Sequence, residues 1–182
     1  MTSIYHLIFR HKMEVRLRTS IDGRKMEIIT SVEPTDTVGQ IGNRYESDIG
    51  IPYPKQRFIF EGEYVLNDTT IASVMEKKNI PFHEWYTDKP VFVVTDMGPV
   101  SEKEMASDVT IIVTLTNSLC LKTYYWDTII EIKYKIYSVK NWAPHEQRLV
   151  ASGKILIDEY TLQDYAIHEY HTIHLCGKLC GD

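Results

Sequence analysis

Gln147-Arg148-Leu149-Val150-Ala151-Ser152-Gly153 answers an earlier stretch, Gln56-Arg57-Phe58-Ile59-Phe60-Glu61-Gly62. The register runs outward from both. Asp36-Thr37-Val38 recurs as Asp127-Thr128-Ile129, and Thr70-Ile71 as Thr161-Leu162. Every pair is separated by 91 residues (127 − 36, 147 − 56, 153 − 62, 161 − 70). Matches held in one register over so long a stretch mark an internal repeat. The chain therefore reads as two copies of one small domain, at 1–94 and 109–182, joined by 95–108, a polar stretch without apolar period.

Each copy spells the same order of elements. In the first, Val15 and Leu17 alternate with charged residues, as in a half-buried strand. Asp22-Gly23 signals a hairpin turn, and a second strand follows through Met26 to Val32. Thr37-Val-Gly-Gln40 has the form of a capping box that opens a helix. Val38, Ile41 and Tyr45 share one helical face, and Gly50, Pro52 and Pro54 end the helix. Arg57 to Phe60 and Pro90 to Val94 are the remaining strands. In the second copy, Val109–Leu115 and Leu119–Tyr125 flank a turn at Asn117. Thr128-Ile-Ile-Glu131 is another capping box, and Ile129, Ile132, Ile136 and Val139 form a helical stripe toward a core. Asn141, a residue that tolerates the left-handed conformation, replaces Gly50. Strands Arg148–Ala151 and His171–Leu175 complete the copy. The order β-β-α-β-β predicts an α+β fold: two tandem β-grasp domains, each a mixed sheet with one helix packed across it.

Composition narrows the function. The 182 residues carry 20 Lys plus Arg against 25 Asp plus Glu, with 43% apolar and 25% charged side chains, a globular balance. Residues 1–94 hold 12 basic and 13 acidic side chains, and residues 95–182 hold 8 and 12. Neither half has the basic excess of a nucleic-acid binder. No apolar run approaches the roughly 20 residues of a membrane helix, and the first residues lack a signal-peptide pattern. Three cysteines fit a reducing compartment, so a cytoplasmic protein is expected. His168, His171 and His174 near Cys176 and Cys180 invite a zinc reading, yet a loop entering a strand does not set this spacing on one face. Cys120 lies in a strand without a nucleophile motif, and no phosphate-cradling glycine loop occurs. No catalytic residue, metal site or cofactor is predicted.

The second copy resembles ubiquitin. The resemblance rests on Thr114-Leu115-Thr116, Asp127-Thr128-Ile129, Gln147 to Lys154, Thr161-Leu162-x-Asp164-Tyr165-x-Ile167, Thr172 to Leu175 and the tail Lys178-Leu179-x-Gly181. The first copy matches through Val32 to Val38 and Gly50 to Gly62, with extra residues 1–12 and a loop insertion near 76–89. Two tandem ubiquitin-like domains with a tail on the second are similar to the interferon-induced antiviral modifiers of vertebrates and to their bacterial antiphage counterparts.

That resemblance implies a protein modifier in antiviral or antiphage defence. Its glycine carboxylate would be activated by an E1-like enzyme and passed through an E2-like conjugating enzyme to target proteins. Glycine suits this role because a Cβ would obstruct threading of the tail (176–182) through narrow channels. Here Gly181-Asp182 replaces the family's pair of glycines. Either a deubiquitinase-like peptidase removes Asp182, or the tail is never conjugated and the protein is an adaptor. The resemblance also implies a partner-binding patch of Leu115, Val150, His174 and Cys176 flanked by Arg148 and Lys178, with outward His174 and Cys176 alternating with inward Ile173 and Leu175. In the first copy only Arg57 and Ile59 align with it. Lys133, Lys135 and Lys154 fall where ubiquitin carries lysines.

Overall fold

The computed structural model describes residues 12–81, 83–87 and 89–177. Val100 closes the first of two compact units, and Ser101 opens the main body of the second.

In the first unit, β1 (Met13–Ile21) and β2 (Arg24–Val32) form the hairpin. Helix α1 (Val38–Arg44) follows, then α2 (Glu46–Ile49), β3 (Arg57–Phe60), β4 (Glu63–Val65), α3 (Ile71–Lys77), α4 (Glu84–Thr87) and β5 (Val91–Thr95). The sheet order is β2-β1-β5-β3-β4, with β5 parallel to β1. The capping box closes as the sequence predicts: the Gln40 N–H donates to Thr37 Oγ1 at 3.2 Å, and the Thr37 N–H donates to Gln40 Oε1 at 2.9 Å. The helix is interrupted at Tyr45 instead of running unbroken to Gly50. Its interior carries Gly39 and Gly42, poor helix formers. Gly42 is required by packing, since a Cβ there would lie 2.6 Å from the Phe58 ring. Gly50 then ends α2 at φ +74°, the left-handed conformation expected of it. Within the inserted loop, Trp85 is buried and its indole N–H donates to the Ile80 carbonyl at 3.0 Å.

The second unit has β6 (Asp108–Thr114), β7 (Ser118–Tyr124), α5 (Ile129–Lys140), β8 (Gln147–Ala151), β9 (Lys154–Ile155) and β10 (Thr172–Gly177), in the order β7-β6-β10-β8-β9. Strand β10 runs parallel to β6 and antiparallel to β8. Helix α5 is unbroken and ends at Asn141, whose φ of 55° is left-handed. The core joins Ile111, Val113, Ile132, Ile136, Leu149 and Ile173. Val139 departs from the predicted stripe and stays 38% exposed, while Tyr137 two residues earlier is buried. The Glu131 carboxylate accepts both the Thr128 N–H and its hydroxyl at 2.7 Å, so this threonine turns toward the acid.

The repeat persists in atomic detail. Short bridges join Thr37 to Thr70 and Thr128 to Thr161. A buried glutamine follows the helix in each unit. Gln56 Nε2 donates to the carbonyls of Gly42 and Ile51 at 3.1 and 2.8 Å, and Gln147 Nε2 to those of Lys133 and Trp142 at 2.9 and 2.5 Å. Each glutamine thereby ties the helix to the segment that leads from it into the third strand.

Thr95 closes β5 and Asp108 opens β6, so the connection between strands is 96–107. On the first unit, Arg57 donates to the carbonyls of Gly98 and Met97 at 2.6 and 2.9 Å, and the Gly98 N–H donates to the Lys55 carbonyl. On the second, the Trp126 indole N–H donates to the Glu104 carbonyl at 3.1 Å.

The second unit also buries charge. Lys135 and Asp127 are both 0% exposed, with Nζ 2.6 Å from Oδ2. The Thr123 hydroxyl and the Tyr124 N–H donate to the same carboxylate oxygen, and the Lys135 ammonium lies 4.7 Å from the Tyr124 ring centroid. An ion pair withdrawn this far from water survives only when its remaining valences are filled, and removing one member strands the other. Lys135→Met is therefore expected to destabilise the protein by about 3–5 kcal/mol in denaturant unfolding. The double variant Lys135→Met with Asp127→Leu should recover most of that loss.

Burial, reinforced by the Asp127 and Asp108 carboxylates, pushes the Tyr124 hydroxyl up to about 12 from 10.0. Between those values the folded state keeps a proton that the unfolded chain has released, so this group's contribution to stability falls as pH rises. Tyr124→Phe should flatten the loss of stability between about pH 10 and 12, measured by unfolding at a series of alkaline pH values.

Candidate functional site

Strand alternation sends Ile173 and Leu175 of β10 into the core and leaves His174 and Cys176 outside. Because β10 lies between β6 and β8, its outward residues meet neighbours from both strands. His174 stands opposite Val150 on one side and Thr114 on the other, and Cys176 stands opposite Arg148. His174 Nδ1 and Thr114 Oγ1 are 2.8 Å apart. Leu115 follows Thr114 directly and is 55% exposed. The structure thus brings Arg148, Val150, His174 and Cys176 onto one face, with Leu115 exposed just beyond the end of β6. Lys178, Gly181 and Asp182 lie outside the described residues.

Ile155 joins this face, although the sequence reading omits it. It pairs with Val150 across the β8–β9 ladder and is exposed. The signal for it was the strand of two residues after the Ser152-Gly153 turn, too short to show a period. The row across four strands is therefore Thr114, His174, Val150 and Ile155.

Among the described residues, the positions of the first unit that align with this face are not open. Arg57 and Ile59 occupy the positions of Arg148 and Val150, and both are buried. Val93 pairs with Arg18 as His174 pairs with Thr114, and it too is buried, as is Thr95 two residues on. Arg57 is committed to the backbone carbonyls at 97 and 98, with its guanidinium 5.1 Å from the Tyr64 ring centroid. The apolar face open to partners among these aligned positions belongs to the second unit alone.

The three histidines turn to different neighbours. His168 lies edge-on to Tyr125, His171 Nε2 is 3.4 Å from Ser152 Oγ, and His174 meets Thr114. Cys120 is exposed on β7 and Cys176 on β10. Of the lysines aligned with ubiquitin's, Lys135 is locked on Asp127 and Lys133 on Asp158, with Nζ 2.6 Å from Oδ1. Neither presents a free amine to an acylating enzyme, because the nucleophilic form would first have to leave a carboxylate and reach solvent. Lys154, beside the turn, is exposed.

Comparison with protein families agrees with this geometry. The model of the ubiquitin family matches twice, over residues 15–80 and 109–180, one match in each unit. This fold is one of modifiers and protein-interaction domains rather than of enzymes. With two matches that together span most of its length, the chain belongs to the ubiquitin family.

Proposed function

We propose that this protein is a tandem ubiquitin-like modifier whose chain is cut after Gly181 and joined through that glycine to lysines of target proteins, in antiviral or antiphage defence. The observation that supports this reading most is the asymmetry between units. The second unit, which precedes the glycine, keeps the family's outer face open, whereas the first unit has buried it. A carrier handed between enzymes needs such a face next to its reactive end.

The chemistry would proceed by acyl transfer. The Gly181 carboxylate attacks the α-phosphate of ATP and displaces pyrophosphate. An activating-enzyme thiolate then displaces AMP to form a thioester, which passes to a conjugating-enzyme cysteine. A lysine amine of the target displaces that thiolate and gives an isopeptide bond. A deubiquitinase-like peptidase would first hydrolyse the bond after Gly181. This chain supplies the acyl group, the face and no catalytic side chain, in a reducing compartment such as the cytoplasm.

Asp182 favours a second reading, a non-conjugated adaptor that binds partners through the same face. Its Cβ and carboxylate would enter the site where adenylation needs a bare glycine. Intact-mass analysis of the protein from its host separates the two. The modifier reading expects a form ending at Gly181 and higher-mass adducts that vanish when Gly181 is deleted. An uncut tail with no adducts establishes the adaptor instead.

The face makes its own prediction. With a cognate activating enzyme and ATP, a chain ending at Gly181 should form a thioester. Leu115→Ala with Val150→Ala should keep its circular dichroism and lower the charging rate by about tenfold, the effect of losing one well-packed apolar contact. Ile59→Asp, at the buried counterpart in the first unit, should unfold that unit instead.

A further inference from the structure

We propose that Arg148 is a latch for the tail: its guanidinium holds the backbone of residues 178 and 179 and so governs when the chain end leaves the second unit. The pattern for this latch stands complete in the first unit. There the chain leaves β5 at Thr95 and is caught at once. Arg57 Nη2 donates to the Met97 carbonyl at 2.9 Å and its Nε to the Gly98 carbonyl at 2.6 Å. The Gly98 N–H donates in turn to the Lys55 carbonyl at 2.7 Å. A guanidinium presents its donors as a fixed planar fork, so one side chain grips two successive carbonyls. Residues 97 and 98 belong to the first unit, which runs to Val100.

The second unit repeats each part. Arg148 follows Arg57, and Glu146 follows Lys55, by the repeat distance (148 − 57 and 146 − 55 are both 91). The last strand is offset by ten fewer residues, because the first unit carries the longer loop. Val93 and His174, aligned through their pairing with Arg18 and Thr114, are 174 − 93 = 81 apart. The same step carries Met97 to Lys178 and Gly98 to Leu179. The ladder between β10 and β8 sets Cys176 opposite Arg148 and Gly177 opposite Gln147. Arg148 therefore stands beside the root of the tail, and the next two residues are the counterparts of the pair that Arg57 holds. Lys178 and Leu179 themselves lie outside the described residues, and the first unit supplies the pattern for them.

Two substitutions turn a fixed strap into one that opens. Gly98 has φ +77°, a conformation that strains any residue with a side chain, and Leu179 replaces it. Met97 gives way to Lys178, which adds a second cation close to the guanidinium. The latch of the second unit is thus weaker than the strap of the first. Arg148 is also part of the partner face, opposite Cys176. A partner that offers it a carboxylate outcompetes the neutral carbonyls of the tail, because hydrogen bonds between two charged groups are the stronger ones. Binding at the face and release of the chain end then become one equilibrium. That consequence, though not the latch itself, rests on the modifier reading.

Hydrogen exchange at the Arg148 Nε–H, followed by NMR on the full chain, tests the latch, with Arg57 as the closed reference in the same spectrum. A chain ending at Gly177 should exchange the Arg148 proton about tenfold faster, the loss of one hydrogen bond from a charged donor, with Arg57 unchanged. Lys178→Met with Leu179→Gly restores the first unit's residues and should slow Arg148 exchange toward that of Arg57. Equal exchange in the full and shortened chains overturns the proposal. So does a double variant whose Arg148 proton exchanges no more slowly than in the native chain. Neither measurement involves an activating enzyme, so failure of the latch and failure of conjugation are read separately.

Discussion

Each unit depends on its last strand being inserted between the first and the third, parallel to one and antiparallel to the other in the second unit. A parallel pair requires the chain to cross over between its strands, and the helix is the body of that crossover. One insertion therefore places the helix on one face of the sheet and separates an inner face from an outer one. The inner face becomes the core of Ile111, Val113, Leu149 and Ile173, closed by Ile132 and Ile136. The outer face becomes the meeting place of Thr114, His174 and Val150, residues far apart in sequence.

The two units treat that outer face differently. The same topology yields a partly exposed row in the second unit and buried residues Ile59, Val93 and Thr95 in the first. Duplication followed by divergence explains how one scaffold holds both. The framework that both units keep is the part that makes the fold: the helix-opening threonine, its bridge to a second threonine, and the glutamine that closes the corner after the helix. What differs lies on the surface and in the helix. Gly42 admits Phe58 and Gln56 at close range, whereas Lys133 at the matching position reaches Asp158. Lys135 and Asp127 add a buried ion pair within the second unit. The attraction within such a pair is set against the cost of taking both charges out of water, so its presence alone does not make the unit more stable.

Much of this was legible in the chain itself. Period-two and period-3.6 patterns arise from backbone geometry, so Ile173 inward and His174 outward follow from counting, as does the burial of Val38, Ile41 and Ile132. Capping and left-handed positions are equally local, which is why Thr37, Gly50 and Asn141 behave as their types require. The break at Tyr45 was hidden, because the spacing of Val38, Ile41 and Tyr45 continues one helical face through it. The exposure of Val139 was hidden too, since a helical stripe does not tell where the surface beneath it ends. Ile155 escaped notice for want of length in its strand.

The sequence by itself determined that this protein is a doubled β-grasp chain, because an exact repeat distance and local periodicities are properties of order along the chain. Only the tertiary structure decided which chemistry is accessible. Lys133, Lys135 and Lys154 look alike in sequence, yet two are buried against carboxylates and one is open to water. Likewise Ile59 and Val150 align, and only the second is partly exposed. Burial is set by what packs from distant parts of the chain, and no local pattern carries that information.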